Sequence, residues 1–231
     1  MDLHYLLLWL EAPLQSWGFD SKFNRRDTLS FPTRSGILGL LLCTIKAQRE
    51  QHELLERLSL YSQTVYSYKK KQRETFLCDF QMVGSGYDDT NPWTTLHIPK
   101  TSDGKKAVGG GTKMTYRNYL QDAFFAVILD LPADLAEQIA SALQNPVFDL
   151  YLGRKNCVPT DFIYRGSFSS SEEAETELAT ICDEKGLVAD FKVLTGDKSS
   201  EGDVITLNDI PVQFGTEKKY RDRRVTVVRS T

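Results

Sequence analysis

The spacing of apolar and polar positions changes several times along the chain, and each change marks an element. Leu3 to Leu10 is a short apolar run ahead of a proline-containing loop, which predicts a buried strand. Thr33 or Ser35 can cap a helix running from about Ile37 to Gln48, and Glu53 to Ser59 adds a further turn or two. Val65–Lys71 and Glu74–Val83 read as strands close enough to form a hairpin through the basic tip KKKQR. Phe124–Leu131 predicts another buried strand. Asp134–Leu143 is an amphipathic helix between Pro132 and Pro146, and Phe148–Leu152 closes the series. The order β-α-β-β-α-β predicts an α+β fold, a ferredoxin-like (RRM-like) domain with its helices on one face of the sheet. That domain is expected over residues 1–158. The short strands and loops after Pro159 predict a small β-rich C-terminal lobe over 159–231.

One segment has no sustained period. Gly84 to Tyr116 reads GSGYDDTNPWTTLHIPKTSDGKKAVGGGTKMTY, an excursion too long for an ordinary connection inside a compact domain. Such a segment is either a surface excursion or an arm that orders against a ligand or neighbour.

Composition narrows the class. At 231 residues, 41% hydrophobic and 26% charged, the chain can bury a proper core without disulfides or metals. No apolar run reaches the roughly 20 residues needed to span a bilayer, and no basic region precedes the first apolar run. A cytoplasmic location without a membrane partner is expected. Cys43, Cys78, Cys157 and Cys182 are scattered with no CxxC pair, which predicts reduced, mostly buried thiols and neither a zinc site nor a disulfide framework.

The net charge of −3 conceals a division. From Ser171 to Asp203 acids far outnumber lysines. Basic residues cluster at Lys69–Arg73, from Lys100 to Arg117, and at Lys218–Arg224, beside aromatics and glycines. A single cluster is ordinarily a solvated face. Three of them point toward a polyanion, since phosphates need cations and bases stack on rings.

Five blocks in order resemble one family: PLQSWG at Pro13–Gly18, FPTRSGILGLL at Phe31–Leu41, DFQMV at Asp79–Val83, TYRNYLQDAFF at Thr115–Phe125 and YLGRKNCVPT at Tyr151–Thr160. They are similar to the motifs of the CasD family, the subunit of the subtype I-E CRISPR Cascade complex that holds the 5′ handle of the guide RNA. The resemblance spans nearly the whole chain and is weakest from about Gly166 to Asp203. It implies an antiviral ribonucleoprotein whose partners are guide RNA, the Cascade backbone subunit CasC, the large subunit CasA and, through the assembled complex, target DNA. Residues 84–114 would form the thumb-like insertion that grips the guide and contacts the adjacent backbone subunit.

On that footing the residues before the first helix acquire a role. A helix N-terminus presents unsatisfied N–H groups, so Ser35 and Gly36 offer an anion seat and Arg34 adds a fork of donors for phosphate. The alternative is a plain capped helix with Arg34 paired to an acid. Lys113, Tyr116 and Arg117 stand where the insertion returns to the sheet, and Arg154 and Lys155 follow a short strand and a glycine, suited to phosphate or base-edge contact. Gln15 is a further candidate polar contact, and Trp17 is expected to pack beneath its loop.

Catalysis is not expected, and no cofactor or metal is implied. Metal-free RNA cleavage needs a general base and acid within reach, and the spacing of His4, His52 and His97 suggests no pair. Gln81 stands where relatives often carry a histidine, and an amide transfers no protons. The alternative reading is a metal-independent endoribonuclease that processes CRISPR repeat RNA.

Overall fold

The computed structural model describes residues 2–19, 21, 24–47, 51–70, 76–83, 90, 101–105 and 113–230. The elements are β1 (Leu3–Gln15), β2 (Arg25–Arg26), α1 (Arg34–Thr44), α2 (His52–Ser59), β3 (Gln63–Lys69), β4 (Phe76–Val83), β5 (Lys113–Pro132), α3 (Ala133–Gln144), β6 (Tyr164–Phe168), α4 (Ser171–Lys185), β7 (Val188–Thr195), β8 (Asp203–Gln213) and β9 (Lys219–Arg229). The architecture is mixed α/β, a mainly antiparallel sheet with four helices among the described residues.

The sheet runs β6-β1-β5-β3-β7-β9-β8, with β2 and β4 pairing β5 off this path. β1 and β5 lie side by side from Leu3↔Pro132 to Gln15↔Leu120, and both are covered above and below. Leu6, Leu8 and Leu10 face one core with Ile37, Leu38 and Leu41 of α1 and Leu135 and Ile139 of α3. Leu7 and Trp9 face the other, with Ala174, Leu178 and Ile181 of α4. A strand buried on both faces needs apolar residues at every position, which is why LLLWL shows no alternation.

Several expectations are corrected here. β3 and β4 do not form a hairpin. Each pairs antiparallel with β5, β3 against Phe124–Leu129 and β4 against Lys113–Leu120, so they follow one another along one edge of a 20-residue strand. The strand expected at Phe148–Leu152 is irregular chain; Leu152 instead turns back on Cys157 and accepts from the Ser16 N–H. The strand on the other edge of β1, opposite β5, is β6, fifteen or so residues later. Helices lie on both faces, because α4 covers the side expected to be open. Residues 171–185 thus form a helix where short strands and loops were expected, and β7 continues the sheet by pairing with β3. Of the four thiols, Cys157 and Cys182 are buried while Cys43 and Cys78 are exposed.

Candidate nucleic-acid interface

The block FPTRSG folds into a joint between two helices and a strand. Thr33 is the N-cap of α1, its Oγ1 accepting from the Gly36 N–H at 3.1 Å. The next orphan donor, the Arg34 N–H, is met by the Asp209 carboxylate of β8 at 2.7 Å. The α1 N-terminus therefore does hold an anion, and it is the chain's own. Arg34 is 3% exposed, and its Nη2 donates to the carbonyls of Leu58 and Tyr61 at the C-terminal end of α2, both at 2.6 Å. Burial, reinforced by the nearby Arg223 charge, draws its pKa down to about 10 against the pull of Asp209 and Asp130, so it remains a cation at neutral pH.

These contacts correct three expected ligand residues. Arg34 has turned its fork inward to carbonyl oxygens. Gly36 is small for packing, since a Cβ there would meet Trp17 Cε3 at 2.8 Å. Gln15 is fully buried, donating to the Leu10 and Ala123 carbonyls and accepting from Trp17 Nε1, so its amide is consumed inside the core. Trp17 itself is 1% exposed, a packing residue. Ser35 is half-buried with its hydroxyl toward Thr33 Oγ1 at 3.4 Å, facing a helix end already filled.

The other candidates converge. β4 and the first half of β5 form a ribbon in which Phe80 lies opposite Tyr116 and Asp79 opposite Arg117. Along its other edge runs β2, parallel, with Arg25 beside Tyr116 and Arg26 beside Arg117. Side chains alternate across a pleat, so the even positions of β5 share one face and the odd positions the other. On the first face Phe80 and Tyr116 pack ring to ring at 5.0 Å, both still exposed, next to exposed Met82 and Met114. The second face carries Arg117 and Arg26.

Arg154 joins this cationic side. Its guanidinium lies 4.6 Å from the Tyr119 ring centroid, while Nη1 donates to the Asn118 carbonyl at 3.2 Å and Nη2 to the Arg26 carbonyl at 2.9 Å. The loop is brought there by Gly153, at φ +99°, where a Cβ would collide with the Ser16 carbonyl oxygen. Lys155 follows on the surface. Lys113 opens β5 opposite Val83; its side chain, like most of the expected thumb at 84–112, lies outside the described residues.

Sequence reading missed Arg25, Arg26 and Phe80. The signal was present in the doubled arginine of FNRRD, but only the parallel pairing of β2 with β5 carries it to Tyr116 and Arg117. Conversely, some basic residues counted toward a polyanion site are spent internally: Lys69 pairs Asp190 at 2.6 Å, Arg223 pairs Asp209 at 2.6 Å and Arg224 pairs Asp197 at 2.9 Å.

Comparison with known proteins gives this arrangement its setting. A model of the CRISPR-associated protein (Cas_Cas5) family matches residues 5–226. The CRISPR system Cascade subunit CasD of Escherichia coli (strain K12) is 33% identical over 171 residues, 73% of each chain. A chain in a solved CRISPR RNA-guided surveillance complex is 26% identical with a TM-score of 0.72, covering 98% of this chain and 90% of that one. A crystal structure of a Cas protein shares the fold at a TM-score of 0.58 and 24% identity, covering 96% and 93%. With nearly every residue inside the family match and a Cascade subunit among its relatives, the chain belongs to the CRISPR-associated protein (Cas_Cas5) family.

Proposed function

We propose that this chain is a non-catalytic RNA-binding subunit of a Cascade-type surveillance complex, holding the 5′ handle of the guide RNA and capping a filament of CasC-type backbone subunits, with a CasA-type large subunit beside it. Its likeness to the Escherichia coli Cascade subunit and to a chain of an RNA-guided complex supports that setting. The observation that carries the RNA contact is the base of the β4–β5 ribbon, where Arg26, Arg117 and Arg154 meet on one side and the Phe80–Tyr116 pair stands on the other. Cations that track phosphates beside rings that stack bases are what a flexible single strand requires. Lys155 adds an exposed cation next to Arg154. The expected thumb at 84–114 lies for the most part outside the described residues, as does the Lys113 side chain.

The first four-stranded part of the sheet, in the order β6-β1-β5-β3, supports a ferredoxin-like reading of the fold. Non-catalytic assembly fits the placement of the described histidines. His4 sits in β1 opposite Leu131, whereas His52 opens α2 with Nδ1 3.2 Å from the Val212 carbonyl oxygen, so the two belong to separate elements.

The test is guide retention by Arg117→Ala combined with Arg154→Ala, measured across a salt series. Each lost phosphate contact lowers the salt slope by about one unit, so a weaker and flatter dependence is expected; melting of the free variant is measured beside it, because Arg154 also bonds the Asn118 and Arg26 carbonyls. Full, equally salt-sensitive binding by a normally folded variant refutes the interface. Incubation with repeat RNA in EDTA tests the absence of catalysis, and discrete cleavage there would overturn it.

A further inference from the structure

Strand β2 is two residues long and pairs in parallel, yet it brings Arg25 beside Tyr116 and Arg26 beside Arg117. So short a parallel pair has few ladder bonds and is marginal by itself. On its upstream side the Asn24 carbonyl accepts from the Tyr116 N–H at 2.8 Å. Downstream the chain is moored to the core, where the Thr28 hydroxyl accepts from the Trp17 N–H at 2.7 Å and the Leu29 N–H donates to the Trp17 carbonyl at 2.9 Å. Between those moorings Arg25 and Arg26 are exposed, and Asp27 is half-buried.

Side chains supply the missing bonds. Asn118 Nδ2 donates to Asp27 Oδ1 at 2.5 Å, one step beyond the Arg26–Arg117 pair. Positions alternate across a pleat, so the Asn118 amide lies on the same face of β5 as Tyr116. From the side of Tyr119, over whose ring it sits, the Arg154 guanidinium donates to the Arg26 and Asn118 carbonyls. The Asp27–Asn118 bond is charge-assisted and half-buried, the stronger kind, whereas the 3.5 Å contact of the same carboxylate with Arg25 Nε is exposed and carries little weight.

An acid among Arg25, Arg26 and Arg117 opposes the very phosphates those cations attract, so its charge alone gives no reason for it to be there. Its bond to Asn118 does. We infer, on the reading of the ribbon base as the RNA contact, that Asp27 and Asn118 form a latch that keeps β2 on the ribbon and so positions Arg25 and Arg26 for the guide. Asp27 is then a positioning residue that touches no RNA. The two accounts differ in sign: if only charge mattered, removing the carboxylate would tighten guide binding, whereas opening a latch loosens it.

Trypsin cleavage of the free chain after Arg25 and Arg26 reads the latch without RNA. Asp27→Ala and Asn118→Ala are each expected to speed cleavage there about tenfold, the weight of one charge-assisted hydrogen bond, and the double variant little further. Cleavage at Lys192 in β7 should stay at the parent rate; equal acceleration there marks a global loss of fold and overturns a local latch. In the complex with guide RNA both variants are expected to weaken retention about tenfold and to lower the salt slope by up to about two units, as Arg25→Ala with Arg26→Ala does. Asp27→Asn keeps an oxygen for Asn118 to donate to, so it should be cut like the parent and bind at least as tightly. Tighter binding by Asp27→Ala, or unchanged cleavage in both alanine variants, overturns the latch. If Arg25→Ala with Arg26→Ala retains guide like the parent, the RNA role of β2 falls and the positioning role with it; if that variant loses guide while Asp27→Ala and Asn118→Ala keep it fully, the latch alone falls.

Discussion

The Arg34 N–H and the Asp209 carboxylate meet at 2.7 Å across 175 positions of sequence, and this bond fastens the α1 N-terminus to β8. Asp209 is 3% exposed and is also gripped by Arg223, whose Nε and Nη2 donate to its two oxygens at 2.6 and 2.9 Å. Removing one member of such a buried pair strands the other. Asp209→Ala is therefore expected to cost roughly 3–5 kcal/mol, and Asp209→Leu with Arg223→Met much less. Urea unfolding of the three proteins checks the ordering; equal losses in the single and double variants would refute it.

Gly36 faces Trp17 with no room for a methyl group. Gly36→Ala is expected to gain helix propensity and still destabilise by about 1–3 kcal/mol, because the indole must shift against a packed core. Thermal melting decides the sign. Guide retention at matched folded fraction should be unchanged, since the glycine seats a ring rather than a phosphate.

Arg25 and Arg26 sit in exposed positions beside Tyr116 and Arg117. Arg26→Ala is expected to lower the salt slope of guide binding by about one unit, matching Arg117→Ala. Lys198→Ala, in the acidic C-terminal region, should leave the slope alone. An Arg26→Ala slope equal to the parent's would remove β2 from the interface.

Burial would raise the Asp161 pKa, yet the Lys185 ammonium, the Phe162 N–H and the Arg165 charge outweigh it and hold the carboxyl below the usual range. Its contribution is therefore complete above the unfolded value near 3.9 and is lost as pH falls through the lower folded value. Burial would lower the Lys185 pKa, but Asp161 and Glu11 raise it on balance, so its share fades only in strong alkali. Asp161→Asn is expected to flatten the acid limb of the melting profile below about pH 4, with little change of shape between pH 5 and 9. An unchanged acid limb would show that the pairing of Asp161 with Arg165 and Lys185 is not what holds the loop before β6.

Much of the element pattern was legible because it is local. The run LLLWL declares a strand with no wet face, Thr33 a cap, and Asp134–Leu143 a helix with one apolar stripe. The hairpin expected through KKKQR gives way for a physical reason: two strand-like runs near in sequence look alike whether they pair with each other or share a third strand, and the 20-residue β5 has room for both. Phe148–Leu152 differs similarly, since Leu152 is held in a turn bonded to Ser16 and Cys157 while Phe148 stays exposed.

The candidate site divided along the same line. Tyr116, Arg117, Arg154 and Lys155 were legible because their surroundings in sequence are aromatic and basic, and pairing places the first three around one ribbon base.

The sequence by itself determined the family, through five ordered blocks, and the alternation of strands and helices, since periodicity and capping act over a few residues. Only the tertiary structure decided which cations are available. Arg34 and Arg117 are the same residue type, each beside a hydroxyl or ring, and nothing local separates them. One is enclosed because α2 ends against it and Asp209 arrives from the far end of the chain; the other stays at the surface because the ribbon carries it beyond the helices. Charge is written in the sequence, whereas desolvation and pairing are set by what folds over it.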